Sequence, residues 1–156
     1  MTGETGEIFT YRTGGGGVQI GQKKGSKPDT SIIYARFVKR SGSLVDDVMA
    51  ECLEHGKWNI IGATYNYKTG EASLFKNGEL VKTINIGKSY LATQYPIRIG
   101  AITGGVFPFE GRISCLQIYN FTLNLEQVKQ SQYVCRKSKN HKNLLSHSLY
   151  FISFSF

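Results

Sequence analysis

The sequence predicts an all-β sandwich: two antiparallel sheets face to face, with one short helix near the C-terminal end. Three observations lead there. The 156 residues include 18 Gly, 9 Tyr and 9 Phe with many Val, Ile and Thr, a mix that favours strands and tight turns over helices. The apolar residues fall in short runs separated by turn chemistry, and only one late stretch carries a helix cap. Apolar residues make up 40% and aromatics 12%, enough for a packed core and too many for a globally disordered chain. The length suits one domain of about 100–150 residues plus a tail.

The elements follow in order. EIFTYR (7–12) reads as a strand; Gly14–Gly17 interrupt it and VQIG (18–21) resumes it. The glycine run has no strand-then-helix context, so it reads as a turn or bulge and not as a phosphate cradle. GQKKGSKPD (21–29) is a polar loop, and IIYARFV (32–38) a second apolar strand. SGSLVDDVMAECLEHG (41–56) fits either a short strand plus loop or a turn of helix. WNIIGATYN (58–66), the turn YKTG (67–70) and EASLFK (71–76) form a hairpin. Asn77-Gly78 suits a two-residue type I′ turn, because both residues tolerate positive φ. ELVKTINI (79–86) completes a meander, with Ile84 and Ile86 on one face and Thr83 and Asn85 on the other. PIRIGA (96–101) alternates Ile97, Ile99 and Ala101 with Arg98 and Gly100, a half-buried strand. FEGRISCLQIY (109–119) is expected to be the longest strand. Asn124 caps a helix over LEQVKQSQ (125–132), with Gln127 closing a capping box.

Trp58, GATYN (62–66), TGEASLFKNGELV (69–81), IRIGA (97–101), FEGRISCLQIYNFTL (109–123), LEQV (125–128) and Cys135 occur in an order and spacing that resembles the laminin-G-like, concanavalin-A-like family of secreted invertebrate proteins. IFTYR (8–12) and YARFVKR (34–40) resemble family strands at lower specificity. The resemblance implies a jelly roll over residues 7–136, with the Trp58 strand in the core and a secreted setting. It also implies a disulfide between Cys115 and Cys135 that closes the end of the domain and leaves Cys52 unpaired. Family members begin with further strands, and MTGETGEIF shows neither the basic start nor the apolar run of a signal peptide. The expectation is therefore a disordered start (1–6), a domain lacking its opening strands (7–136) and a non-domain tail (137–156). The tail runs from polar KSKNHKN into apolar LLSHSLYFISFSF. Its 13 apolar-end residues are too few to span a bilayer, which takes about 20. It loosely mimics a lipid-anchor signal, but an appended segment fits better.

The net charge is +8, and residues 136–156 supply Arg136, Lys137, Lys139 and Lys142 without any acid. The remaining body is mildly basic, with 15 Lys/Arg against 11 Asp/Glu. Arg36, Lys39 and Arg40 cluster at a strand end, and Lys23, Lys24 and Lys27 precede them in a loop. Side by side they would make a rim for a sulfated glycan or other polyanion; apart, they are ordinary solvated charges. Aromatics follow core periodicity and do not interleave with this cluster, which argues against nucleic acid. Asn120-Phe121-Thr122 is an N-glycosylation sequon.

Catalysis finds little support. A retaining glycosidase needs carboxylates about 5 Å apart, so on one strand acids at i and i+2 or i+4, and no predicted strand carries them. Asp46 and Asp47 are adjacent and face opposite ways in a strand; Glu51 and Glu54 fall in the ambiguous segment. Cys52 and His55 supply two of the four ligands a structural zinc needs. Calcium, which takes six to eight oxygens, is compatible with loop donors such as Asp29, Asn66 and Glu110, with no ligand set assigned. The sequence thus points to a non-catalytic extracellular recognition or adhesion module that binds carbohydrate or protein. The alternatives are a structural spacer in a larger secreted protein and, remotely, a glucanase-like hydrolase.

Overall fold

The structure is a computed structural model that describes residues 5–11, 17–43, 46–101, 105, 107–137 and 148–154. Most of the expected disordered start, the glycines at 14–16 and the side chain of Cys135 lie outside the described residues. In chain order the elements are β1 (Gly6–Tyr11), β2 (Gln19–Lys24), β3 (Thr30–Arg36), β4 (Val48–Glu54), β5 (Ile60–Asn66), β6 (Glu71–Lys76), β7 (Glu79–Asn85), β8 (Ile97–Ile99), β9 (Ile113–Tyr119), α1 (Leu125–Lys137) and β10 (Ser148–Phe154). They form two five-stranded sheets, ordered β4-β3-β2-β1-β8 and β7-β6-β5-β10-β9. The all-β sandwich with a late helix is the architecture the sequence predicts.

The core lies between the sheets. Phe9, Ile20, Ala35 and Val48 occupy facing positions across β1 to β4 and pack in one cluster with Ile61, Ala63, Tyr65 and Leu74 from the other sheet. Period-2 alternation sends their neighbours to the opposite face. Tyr34 is one of these, and its ring lies over Gly21, where a Cβ would collide with it. A bulge between Glu7 and Phe9 places both Ile8 and Phe9 in the core. The meander forms as its turn residues dictate, with Asn77 and Gly78 at φ 52° and 84°. Asn77 Oδ1 also accepts from the Ile60 amide at 3.0 Å, tying the turn to the start of β5. The capping box is reciprocal: the Gln127 amide donates to Asn124 Oδ1 and the Asn124 amide to Gln127 Oε1, both at 2.9 Å. α1 packs through Val128 on Phe75 and Leu123.

Several expectations are corrected. β2 runs on into the segment expected to be a loop, and the ambiguous segment contains a strand, β4. Its pattern is blurred because a bulge opposite Ser31–Ile32 breaks the alternation. β9 begins only at Ile113 and has 7 residues, the same length as β3, β4, β5, β7 and β10, whereas α1 reaches 13. Ile97 and Ile99 are 43% and 54% exposed; β8 is an edge strand paired with β1 alone, so its apolar face has no opposing sheet. Trp58 is half-buried just before β5, the strand that supplies Ile61, Ala63 and Tyr65 to the core. The tail differs from the expected non-domain segment at Ser148–Phe154, which lie as β10 between β5 and β9.

Candidate functional site

The predicted basic cluster divides into two environments. Arg36 ends β3 on the face away from the core. Its Nε and Nη2 donate to the two Asp47 oxygens, each at 2.7 Å, the bidentate geometry that holds a guanidinium most firmly. Lys23 Nζ sits 3.9 Å from the same carboxylate and 4.7 Å from the centre of the Tyr34 ring. The Tyr34 hydroxyl donates to Glu7 Oε1 at 2.6 Å, and burial, followed by Glu7, pushes this phenol well above its ordinary range. Lys23 and Arg36 lie beside the same Asp47 carboxylate and the same Tyr34 ring, and Asp47 and Glu7 offset their charge. The patch is an internally compensated network with little left for an external anion.

Lys39 and Arg40 stand elsewhere. After Arg36 the chain buries Phe37 and Val38, then Lys39 bridges Leu91 and the Arg40 amide donates to the Tyr90 carbonyl at 2.8 Å. The segment carrying Tyr90 is fixed from behind by the buried Tyr65. The Tyr65 hydroxyl accepts from the Ser89 amide at 2.8 Å and faces the Gly87 and Ser89 carbonyls at 2.9 and 3.0 Å. The turn after β5 completes the arrangement. Gly70 there has φ 78° and packs so tightly on Gly87 that a Cβ would meet its backbone at 2.7 Å. That turn presents Tyr67 against Tyr90, ring centres 5.0 Å apart and planes at 27°. The hydrogen bond between the two phenols pushes the Tyr67 hydroxyl up. The Arg40 guanidinium lies 5.8 Å from the Tyr90 ring centre, and Tyr90 remains 55% exposed.

Three loops at one end of the sandwich thus present a stacked tyrosine pair with a cation on it. Sequence reasoning found Lys39 and Arg40 but missed Tyr67 and Tyr90. Their one signal was position in the turn-rich stretches YNYKTG and GKSYLA; Tyr67 also continues the alternation of Ile61, Ala63 and Tyr65 and packs against that cluster, which lets it pass for a core residue.

The other candidates are dispersed. Glu51 and Glu54 lie on β4 but serve different neighbours. Glu51 accepts from the Ser26 and Lys27 amides at 2.8 and 3.0 Å and from the Ser26 and Thr30 hydroxyls at 2.6 and 2.7 Å. Glu54 pairs with Lys57 and Lys76 at 2.6 and 2.7 Å. These partners, side-chain bonds first, hold both carboxyls down at about 2, far from the range a general acid needs. His55 Nε2 shares a hydrogen bond of 2.7 Å with the Ser31 hydroxyl, and burial raises the Cys52 thiol. Asp29 is in a turn at φ 58°, Asn66 Oδ1 accepts from the Lys68 amide at 2.9 Å, and Glu110 is exposed. No group of three or more His, Cys, Asp or Glu that could hold a metal ion occurs among the described residues. Asn120 is exposed just beyond β9, and the Thr122 hydroxyl of its sequon donates to the Tyr65 carbonyl at 2.8 Å. Cys115 lies in β9 at φ 60°, and its pairing with Cys135 rests on a side chain outside the described residues.

Comparison with known proteins agrees with this architecture. A family model described as the concanavalin A-like lectin/glucanases superfamily, laminin G type, matches residues 2–129. No curated protein and no solved structure matches the chain. A family match over most of the length, on a two-sheet sandwich with the strand order given above, places this chain in the laminin-G-like branch of the concanavalin A-like lectin/glucanase superfamily.

Proposed function

We propose that the chain is a non-catalytic extracellular recognition module whose ligand is a carbohydrate bearing anionic groups, received on Tyr90 and Arg40 with Lys39 beside them. The carrying observation is the exposed Tyr90 ring, stacked on Tyr67 and flanked by Arg40. An exposed aromatic face offers apolar contact to the C–H face of a sugar ring while its hydroxyl stays wet. The adjacent guanidinium supplies forked donors for a sulfate or carboxylate. Laminin-G-like membership supports an extracellular setting, and no helix among the described residues is long and apolar enough to cross a membrane.

A glycan array followed by titration of a sulfated oligosaccharide tests the reading. Tyr90→Ala and Arg40→Ala are each expected to weaken binding at least about tenfold, roughly one hydrogen-bonded or stacked contact. Arg36→Ala, which breaks only the internal pair with Asp47, leaves the affinity unchanged. Absence of binding across the array would favour the spacer reading. Turnover of β-glucans would favour the hydrolase reading, against which Glu51 and Glu54 stand with their divergent partners.

The proposal includes the Cys115–Cys135 disulfide and glycosylation at Asn120. Cys52 is the free cysteine among the described residues. Gln117 Nε2 donates both to Cys115 Sγ at 3.6 Å and to the Ser131 carbonyl of α1 at 3.1 Å, so the Cys115 sulfur looks toward the helix that carries Cys135. A bond closing this ~20-residue loop would stabilise by roughly 3 kcal/mol in the loop-entropy treatment. Non-reducing peptide mapping should recover it, and a linkage through Cys52 would refute it.

A further inference from the structure

The second sheet is held together by its last strand. β10 runs parallel to both neighbours, six of its residues registering on β5 from Leu149↔Ile60 to Phe154↔Tyr65, and five on β9. Every other strand pair among the described residues is antiparallel. Among the described residues β10 is also the one strand that pairs with β9. Without it β5 would present a bare edge, β9 would have no ladder, and the space between them would be one strand wide, roughly 9–10 Å between flanking backbones. Such a slot bonds main chain to main chain, so it selects an extended segment more than a particular side chain.

Ten residues, 138–147, separate the end of α1 from Ser148, and ten residues reach at most about 33–36 Å. That covers the chain's own slot and equally the slot of an adjacent molecule. We propose that the slot between β5 and β9 is a strand-binding site, and that residues 148–154 of a second copy of this chain can fill it, giving a strand-exchanged dimer. The contacts are identical in the two forms, so the balance between them follows concentration. A link of this length gives an effective concentration of about millimolar. Exchange therefore accumulates when the chain is refolded at comparable concentrations, and the closed monomer prevails when it is dilute.

The full-length Ile152→Pro chain tests this, because proline within a doubly paired strand removes a ladder donor and prevents insertion. A fluorescein-labelled peptide of residues 139–156 should bind this variant saturably, at least about tenfold more tightly than a scrambled peptide, and raise its melting temperature. Should the variant not fold, the wild-type chain is refolded with excess labelled peptide, which should co-elute with it in size exclusion. In a second arm, wild-type chains with two different tags are refolded together at about millimolar concentration. Each tag should then retrieve the other, and Ile152→Pro in both chains should abolish this. A peptide captured by neither preparation, or tags that never co-purify, overturns the proposal.

Discussion

Single residues in this molecule are chiefly explained by what they hydrogen-bond, and two exceptions are informative. Thr10 and Gln19 are register partners on β1 and β2, and Thr10 Oγ1 and Gln19 Oε1 are buried with no hydrogen-bond partner. A buried polar group left unmade costs about 1–3 kcal/mol, so Thr10→Val is expected to stabilise the domain by about 1 kcal/mol in urea denaturation. A loss of stability would show that the hydroxyl has a partner after all. Glu51 is the opposite case, with its carboxylate collecting four donors from the 26–30 turn. Its folded pKa is depressed from 4.5 to about 2, so its contribution is complete above about 4.5 and is lost as pH falls toward 2. Glu54 behaves likewise through Lys57 and Lys76. Glu51→Gln should therefore lose less stability than wild type between pH 6 and pH 2, measured as the shift in urea midpoint. An equal loss would mean that the carboxylate contributes nothing. Asn77-Gly78 could be read from sequence because a type I′ turn is decided within two residues. The partner of Arg36 could not: Asp47 reaches it only through the register of β3 against β4, which no local pattern encodes.

At the scale of elements, the readable ones are those whose signals are local. The meander from β5 to β7 and the capping box of α1 came through because alternation, turn and cap each repeat a short rule. Asn124→Ala should remove the Gln127 amide's acceptor and cost about 1 kcal/mol, with faster hydrogen exchange in the first turn of α1 and unchanged exchange in β2 and β3. Uniform acceleration would instead indicate a global effect. β4 was ambiguous because its bulge interrupts the period that identifies a strand. Alternation identifies β8 as a strand but not its exposure, since it reports two faces and not whether a sheet covers one of them. The same gap hid Tyr67 and Tyr90. Each is set by its own turn, but their stacking is produced by Gly70 closing on Gly87, a contact between two loops.

At the scale of the whole molecule, the sandwich is two sheets of unequal independence. The first is laced by β1 to β4 in unbroken antiparallel order, while the second is continuous only through β10. β9 and α1 retain further attachments, the Thr122 hydroxyl on the Tyr65 carbonyl and Val128 on Phe75, but among the described residues no ladder other than that of β10. Composition and periodicity could predict how many strands pack, yet not that a segment past the helix would join two distant strands, because a strand between parallel neighbours needs no turn to announce it. The consequence is a graded loss of structure. By keeping β10 out of its slot, Ile152→Pro forfeits the ladder bonds on both flanks of that strand at about 1 kcal/mol each, a sizeable part of the roughly 5–15 kcal/mol that holds a domain. Native-state hydrogen exchange on this variant should show the amides of Ile113–Tyr119 losing most of their protection by local opening. Those of Thr30–Arg36, paired on both sides by β2 and β4 in the other sheet, should open only with global unfolding. If β3 and β9 lose protection by the same factor, the second sheet does not depend on β10 in the way its strand order implies.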